Sequence, residues 1–170
     1  NKLFENNLMK KYLKKLNFDL TNDQINAIHD IEKDLKSKER MFRLIQGDVG
    51  SGKTIVALIT LINLIKKKMQ GALMVPTEIL AIQHYNYFAE LLKDTDIKII
   101  LLTSKIKKKE KDKIYNDIKK GKINIIIGTH AIFQKNVIFN NLSYVIIDEQ
   151  HRFGVHQKFQ LSAKGCNPHI

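Results

Sequence analysis

The chain has 170 residues, a net charge of +12 from 29 Lys+Arg and 17 Asp+Glu, and 44% hydrophobic residues. That length suits one compact domain, and the composition excludes a disordered or fibrous protein. A lone cysteine, Cys166, excludes an internal disulfide and a cysteine-based zinc site, and neither a membrane-length apolar run nor a signal-peptide core is present.

Those exclusions predict a cytoplasmic protein with no membrane partner. Residues 3–16 predict a helix, with Leu8, Tyr12, Leu13 and Leu16 on one face and lysines elsewhere. Thr21, followed three residues later by Gln24, forms a capping-box pattern that opens a second helix, continued by Ile25, Ile28, Ile31 and Leu35. From residue 41 short apolar runs alternate with helical stretches. Met41–Gln46, Ala72–Val75, Ile97–Leu102, Ile123–Ile127 and Tyr144–Ile147 read as strands, and 53–69, 77–93 and 106–120 as helices, with a short helical turn after Thr129. Near-continuous apolar strands separated by helices predict an α/β domain, a mostly parallel sheet with helices on both faces. Ligands of such sheets bind at the carboxyl ends of the strands.

The first such strand end carries Gly47-Asp48-Val49-Gly50-Ser51-Gly52-Lys53-Thr54, which matches G-x-x-x-x-G-K-[ST] at every fixed position. Gly47, Gly50 and Gly52 let the backbone around Ser51 turn its N–H groups towards one point, a nest for phosphate oxygens. The following helix adds its positive end. Lys53 is expected to reach the outer phosphates of ATP, and the Thr54 hydroxyl to ligate Mg²⁺. A dinucleotide site is disfavoured because Ile55 stands where a third glycine belongs.

The run Tyr144-Val145-Ile146-Ile147-Asp148-Glu149 delivers an acidic pair at another strand end. Asp148 is expected to hold Mg²⁺, and Glu149 to orient and deprotonate an attacking water. A hydrolytic glutamate argues against a small-molecule kinase. The chain has neither an N-K-x-D guanine signature nor the L-S-G-G-Q signature of transporter ATPases, which leaves a motor-type ATPase.

Asp148-Glu149-Gln150-His151-Arg152-Phe153-Gly154-Val155-His156-Gln157 resembles motif II of superfamily 2 helicases, and the likeness extends over about residues 16 to 170. The Arg-Phe-Gly-Val extension is similar to that of bacterial members that remodel branched DNA, and of others that couple transcription to repair. The resemblance implies a RecA-like P-loop NTPase fold at 21–170, entered through an N-terminal helix and lead-in at 1–20. It implies that Phe18 stacks on adenine and Gln24 reads it, and that His151 couples hydrolysis to DNA contact. It further implies that Pro76, Thr77 and Glu78, then Thr103 and Ser104, then Gly128, Thr129 and His130 lie on DNA-contacting loops. Ser104 departs from the usual glycine at its position, and Asn17 from the usual proline. The partners implied are branched or duplex DNA and two further parts of a longer chain, a second RecA-like domain and a wedge domain. The 170 residues are accordingly read as a C-terminally truncated motor, nearly inactive alone, with a non-catalytic nucleotide-gated DNA-binding module as the alternative.

Read without the resemblance, several of these residues have plainer roles. Thr77 and Thr129 serve as helix N-caps, Glu78 as a favourable first-turn charge, Phe18 as core, and Gln24 as a member of its capping box. His29, His84 and His169 carry no partner pattern and read as surface or packing residues. Of the 29 basic residues only Arg40, Arg43 and Arg152 are arginines. That lysine bias, together with the many isoleucines and asparagines, is what AT-rich coding produces at neutral positions. The lysines from Lys105 to Lys122 read as a solvated helix face with no interleaved aromatic platform.

Overall fold

The computed structural model of the chain describes residues 16, 18–37, 39–65, 69–148 and 168–170. The helix expected over 3–16 therefore lies outside the described residues except for Leu16, as do Glu149 and His151.

Helix α1 (Asn22–Lys36) opens on Thr21, which accepts from Gln24 N while the Gln24 side chain returns to the Thr21 N–H, the reciprocal capping box expected from sequence. It is followed by α2 (Lys53–Ile65), β1 (Gln70–Met74), α3 (Glu78–Leu92), β2 (Ile99–Leu102), α4 (Lys108–Lys119), β3 (Ile125–Gly128), a 3₁₀ turn (His130–Phe133) and β4 (Leu142–Ile147). The four strands form one sheet in the order β2-β3-β1-β4, and every pair is parallel. Alternate residues of β1 face opposite cores. Leu73 packs with Ile28, Ile31, Leu58, Ile62 and Phe88 from α1, α2 and α3, whereas Ala72 and Met74 pack with Ile114 and Ile118 of α4 and with the 3₁₀ turn. Helices thus cover both faces, which is why the strands are apolar throughout rather than alternating.

One polar side chain ties three approaches to the sheet together. Gln70 is buried; its amide nitrogen donates to the carbonyls of Ile118 (3.0 Å) and Ile123 (2.9 Å), and its oxygen accepts from the amides of Asn140 (2.8 Å) and Asn141 (3.1 Å). Every hydrogen-bonding position of the amide group is used, which is the condition under which a buried amide is tolerated.

The strand expected at Met41–Gln46 does not form. Residues 41–48 carry no regular structure, and Phe42 is 67% exposed. Its only ladder partner among the described residues is the short 168–170 segment: Arg43 N donates to Ile170 O, and Ile170 N to Met41 O. His169 in turn bridges Tyr144 of β4 in parallel. Beyond Arg43 no such partner occurs among the described residues, and 44–48 carry no regular structure. Arg43 also clamps it to α1, donating from Nε (2.9 Å) and Nη2 (2.7 Å) to Asp34.

His169 has a structural task that the sequence pattern does not reveal, because its Nδ1 accepts from Met41 N at 3.2 Å. Burial lowers its pKa against a smaller opposing pull from Asp34, and Arg40 adds the least, in the direction of burial. A lowered folded-state pKa means that the neutral ring stabilises the fold above the ordinary histidine value, and that this contribution is lost as the pH falls through the folded value. Thermal unfolding should therefore occur at progressively lower temperature on acidification below about pH 6.5, and a His169→Asn variant should show a shallower dependence over that window.

Candidate functional site

The sheet decides where chemistry can occur. Leu102, Gly128, Met74 and Ile147 are Cα partners in a single row across all four strands, and each is the last residue of its strand. The next residues, Thr103, Thr129, Val75 and Asp148, therefore leave the sheet at one edge. The ladder continues one step further, Val75 N donating to Gly128 O and Asp148 N to Met74 O, each at 2.9 Å. The 41–43 segment runs parallel to residues 168–170, which run parallel to β4, so Gly47 emerges at the edge where Asp148 lies.

The Gly-rich turn has the conformation its composition implies. Gly50 (φ 84°) and Gly52 (φ 79°) occupy the left-handed region that glycine enters without strain. Lys53 starts α2, and its ammonium donates to the carbonyls of Gly47 and Asp48, both at 2.7 Å. The cation is thus held over the mouth of its own loop, where phosphate oxygens can replace the two carbonyls. Ser51 is exposed, and Thr54 sits partly buried in the first turn of α2.

Gln24 reaches this loop in addition to its capping box, since its Nε2 donates to Ser51 O at 2.9 Å. A β-carbon on Gly52 would stand 2.2 Å from that nitrogen. Phe18 is 51% exposed, so it is not a core residue and its ring is available for stacking.

Asp148 is half-buried, and the Nε2 of His84 in α3 lies 3.8 Å from its Oδ2. Among the described residues no group of three or more His, Cys, Asp or Glu could hold a metal ion. Thr54 and Asp148 are hard oxygen donors and too few to cage a cation, which fits Mg²⁺, an ion that takes one or two protein oxygens and completes its shell with phosphates and water. They do not fit zinc or copper, which need nitrogen or sulfur donors.

The three loops expected to face DNA divide by exposure. Thr77 caps α3 by accepting from Leu80 N at 3.2 Å, and it remains exposed beside a partly buried Pro76. Glu78 accepts from Ser104 Oγ at 2.7 Å and pairs with Lys105 at 2.9 Å, and Lys111 donates to Ser104 O at 2.9 Å. Lys105 first and Ser104 second hold the Glu78 carboxyl below the usual range. Thr103 and Thr129 are buried, whereas Ser104 and His130 are exposed. Thr129 occupies the N-cap position of the 3₁₀ turn but makes no side-chain cap bond, so the capping role holds for Thr77 and fails for Thr129. Gly128 has a purely internal reason to be glycine, because a β-carbon there would lie 2.0 Å from the carbonyl oxygen of Leu102.

Sequence reasoning missed His84, Lys105 and Lys111. A signal for His84 existed: it stands three residues after Ala81 and four before Phe88, on the stripe of α3 that is otherwise apolar and buried. The two lysines carried none, since their partners come from other elements. Gly52→Ala places a side chain in the left-handed region against Gln24, at a cost of about 1–2 kcal/mol, or roughly tenfold in affinity. Titration with a fluorescent ADP analogue should show that loss.

The family description DEAD/DEAH box helicase matches residues 21–167. The chain is 50% identical over 163 residues to the ATP-dependent DNA helicase RecG of Aquifex aeolicus, an alignment covering 95% of this chain and 21% of that protein. Against RecG of Bacillus subtilis it is 47% identical over 167 residues, covering 98% of this chain and 24% of the relative. Among solved structures, RecG bound to a three-way DNA junction superposes with a TM-score of 0.80 at 46% identity, covering 86% of this chain and 20% of that one. The chain thus spans roughly a quarter or less of the length of the relatives it matches.

Proposed function

The chain belongs to the DEAD/DEAH box helicase family, and on that premise we propose that it is the ATP-binding half of a cytoplasmic bacterial motor that remodels branched DNA. In this reading it works with a second RecA-like domain and a wedge domain of the same protein. The observation that carries the proposal is the convergence at one sheet edge of the Lys53 loop, Asp148, and the loops bearing Thr77, Glu78, Ser104 and His130. A site for nucleotide and a site for nucleic acid then share a single rigid support. Similarity to RecG over nearly the whole chain supports branched DNA as the substrate.

The chemistry is attack of water on the γ-phosphate of ATP. Lys53 exchanges its two loop carbonyls for phosphate oxygens, and the N–H groups of the glycine turn and of the first turn of α2 hold the rest. Thr54 and Asp148 hold Mg²⁺, which when bound neutralises charge that develops on the transferred phosphoryl group. Gln24, braced between Thr21 and Ser51, reads the adenine against Phe18. Glu149 takes the proton of the attacking water, and His151 links that step to DNA contact. In this reading an arginine finger from the second domain completes the site, a contribution typically worth about 10³- to 10⁵-fold in rate.

In the intact protein, ATP hydrolysis should rise when a three-way DNA junction is added, and more than with blunt linear duplex. Lys53→Ala should lower that stimulated rate by about 100-fold or more, and Asp148→Asn should do the same, with either variant retaining junction binding in a gel-shift assay. A wild-type protein whose hydrolysis ignores DNA, or a fully active Lys53→Ala variant, would refute the motor reading.

A further inference from the structure

Helix α3 touches both halves of the proposed machinery. Its N-terminus is capped by Thr77, and Glu78 in its first turn is tied to Ser104 and Lys105, so this end is built into the loops assigned to nucleic acid. Six residues further along, roughly 9 Å up the helix axis, His84 points its Nε2 at Asp148. Between and beyond them Ala81, Phe88 and Leu92 are buried and anchor the helix in the core. His84 occupies that buried stripe with a side chain only 14% exposed, where an aliphatic residue would pack without the cost of a desolvated imidazole. The 3.8 Å separation exceeds a direct hydrogen bond by roughly 1 Å, a gap closed by a small shift of the helix or spanned by one water.

We propose that His84 is a positioning residue: its Nε2–H orients the Asp148 carboxylate for the metal, and α3 makes that orientation depend on contact at Thr77 and Glu78. The proposal rests on the motor reading for its nucleic-acid side and on geometry alone for its metal side. A neutral imidazole with its proton on Nε2 suffices as donor. Groups that orient a metal-ligating side chain are typically worth about 10- to 100-fold in metal affinity. By linkage, a contact that biases the helix from one end must be felt equally at the other.

The test compares His84→Leu with His84→Gln in the intact protein. The two replacements are close in volume, and only glutamine retains a donor near the position of Nε2. Mn²⁺ binding in the presence of ADP, followed by electron paramagnetic resonance, should weaken about tenfold in the leucine variant and stay near wild type in the glutamine variant, with unchanged thermal unfolding in both. The leucine variant should also lose most of its DNA stimulation of hydrolysis, with a smaller change in the KM for ATP. Equal Mn²⁺ affinity in all three proteins, or an equal loss in both variants, would overturn the positioning role. A leucine variant with weakened Mn²⁺ binding but intact DNA stimulation would overturn the coupling. Failure of wild type to respond to DNA would count against the motor reading instead, and the Mn²⁺ titration would still decide His84.

Discussion

The parallel hydrogen-bond ladder between β1 and its neighbours is the constraint on which the rest of this molecule depends. Because Leu102, Gly128, Met74 and Ile147 pair in one row, four chain segments far apart in sequence release their next residues at one level. Slipping one strand by a single residue would carry its loop along the edge and turn its side chains to the opposite face. The close approach of the Leu102 carbonyl to Gly128 blocks any side chain there and so helps to hold the register. Gln70, at the opposite end of β1, does the same through four hydrogen bonds to the segments entering β3 and β4.

Electrostatics near the edge act locally rather than through overall charge. Most lysines among the described residues are exposed, and interactions among such charges fade beyond about 10 Å at moderate salt. The contacts that organise the loops are few and specific: Lys53 on its own loop carbonyls, Lys105 and Ser104 on Glu78, Lys111 on the Ser104 carbonyl. In the proposed reading, a nucleic-acid phosphate at Ser104 or Lys105 would meet donors already oriented by Glu78 and compete with that carboxylate for them.

The elements most legible in the sequence were those whose signal is local. The Thr21–Gln24 capping box, the glycine turn before Lys53, and the apolar strands at 70–74, 99–102, 125–128 and 142–147 each depend on neighbours within a few residues. Met41–Gln46 carried an equally strong apolar signal, yet among the described residues only Met41 and Arg43 find a backbone partner, because a strand needs a neighbour as well as an apolar run. The same limit applies to Gln24, whose capping role was visible but whose bond to Ser51 spans 27 positions. Thr77 and Thr129 looked alike as caps, yet only Thr77 caps, since Thr129 is drawn into the core beneath its turn.

By itself the sequence determined the α/β class, the glycine turn before Lys53 and the Asp148 strand end, because each is written in residue types at short spacing where backbone geometry leaves little choice. Only the tertiary structure decided that His84 faces Asp148, that His169 receives Met41, and that Glu78 holds Ser104 and Lys105. Those contacts follow from strand order and register, which arise from packing on both faces of the sheet and leave no trace in the spacing of the residues they join.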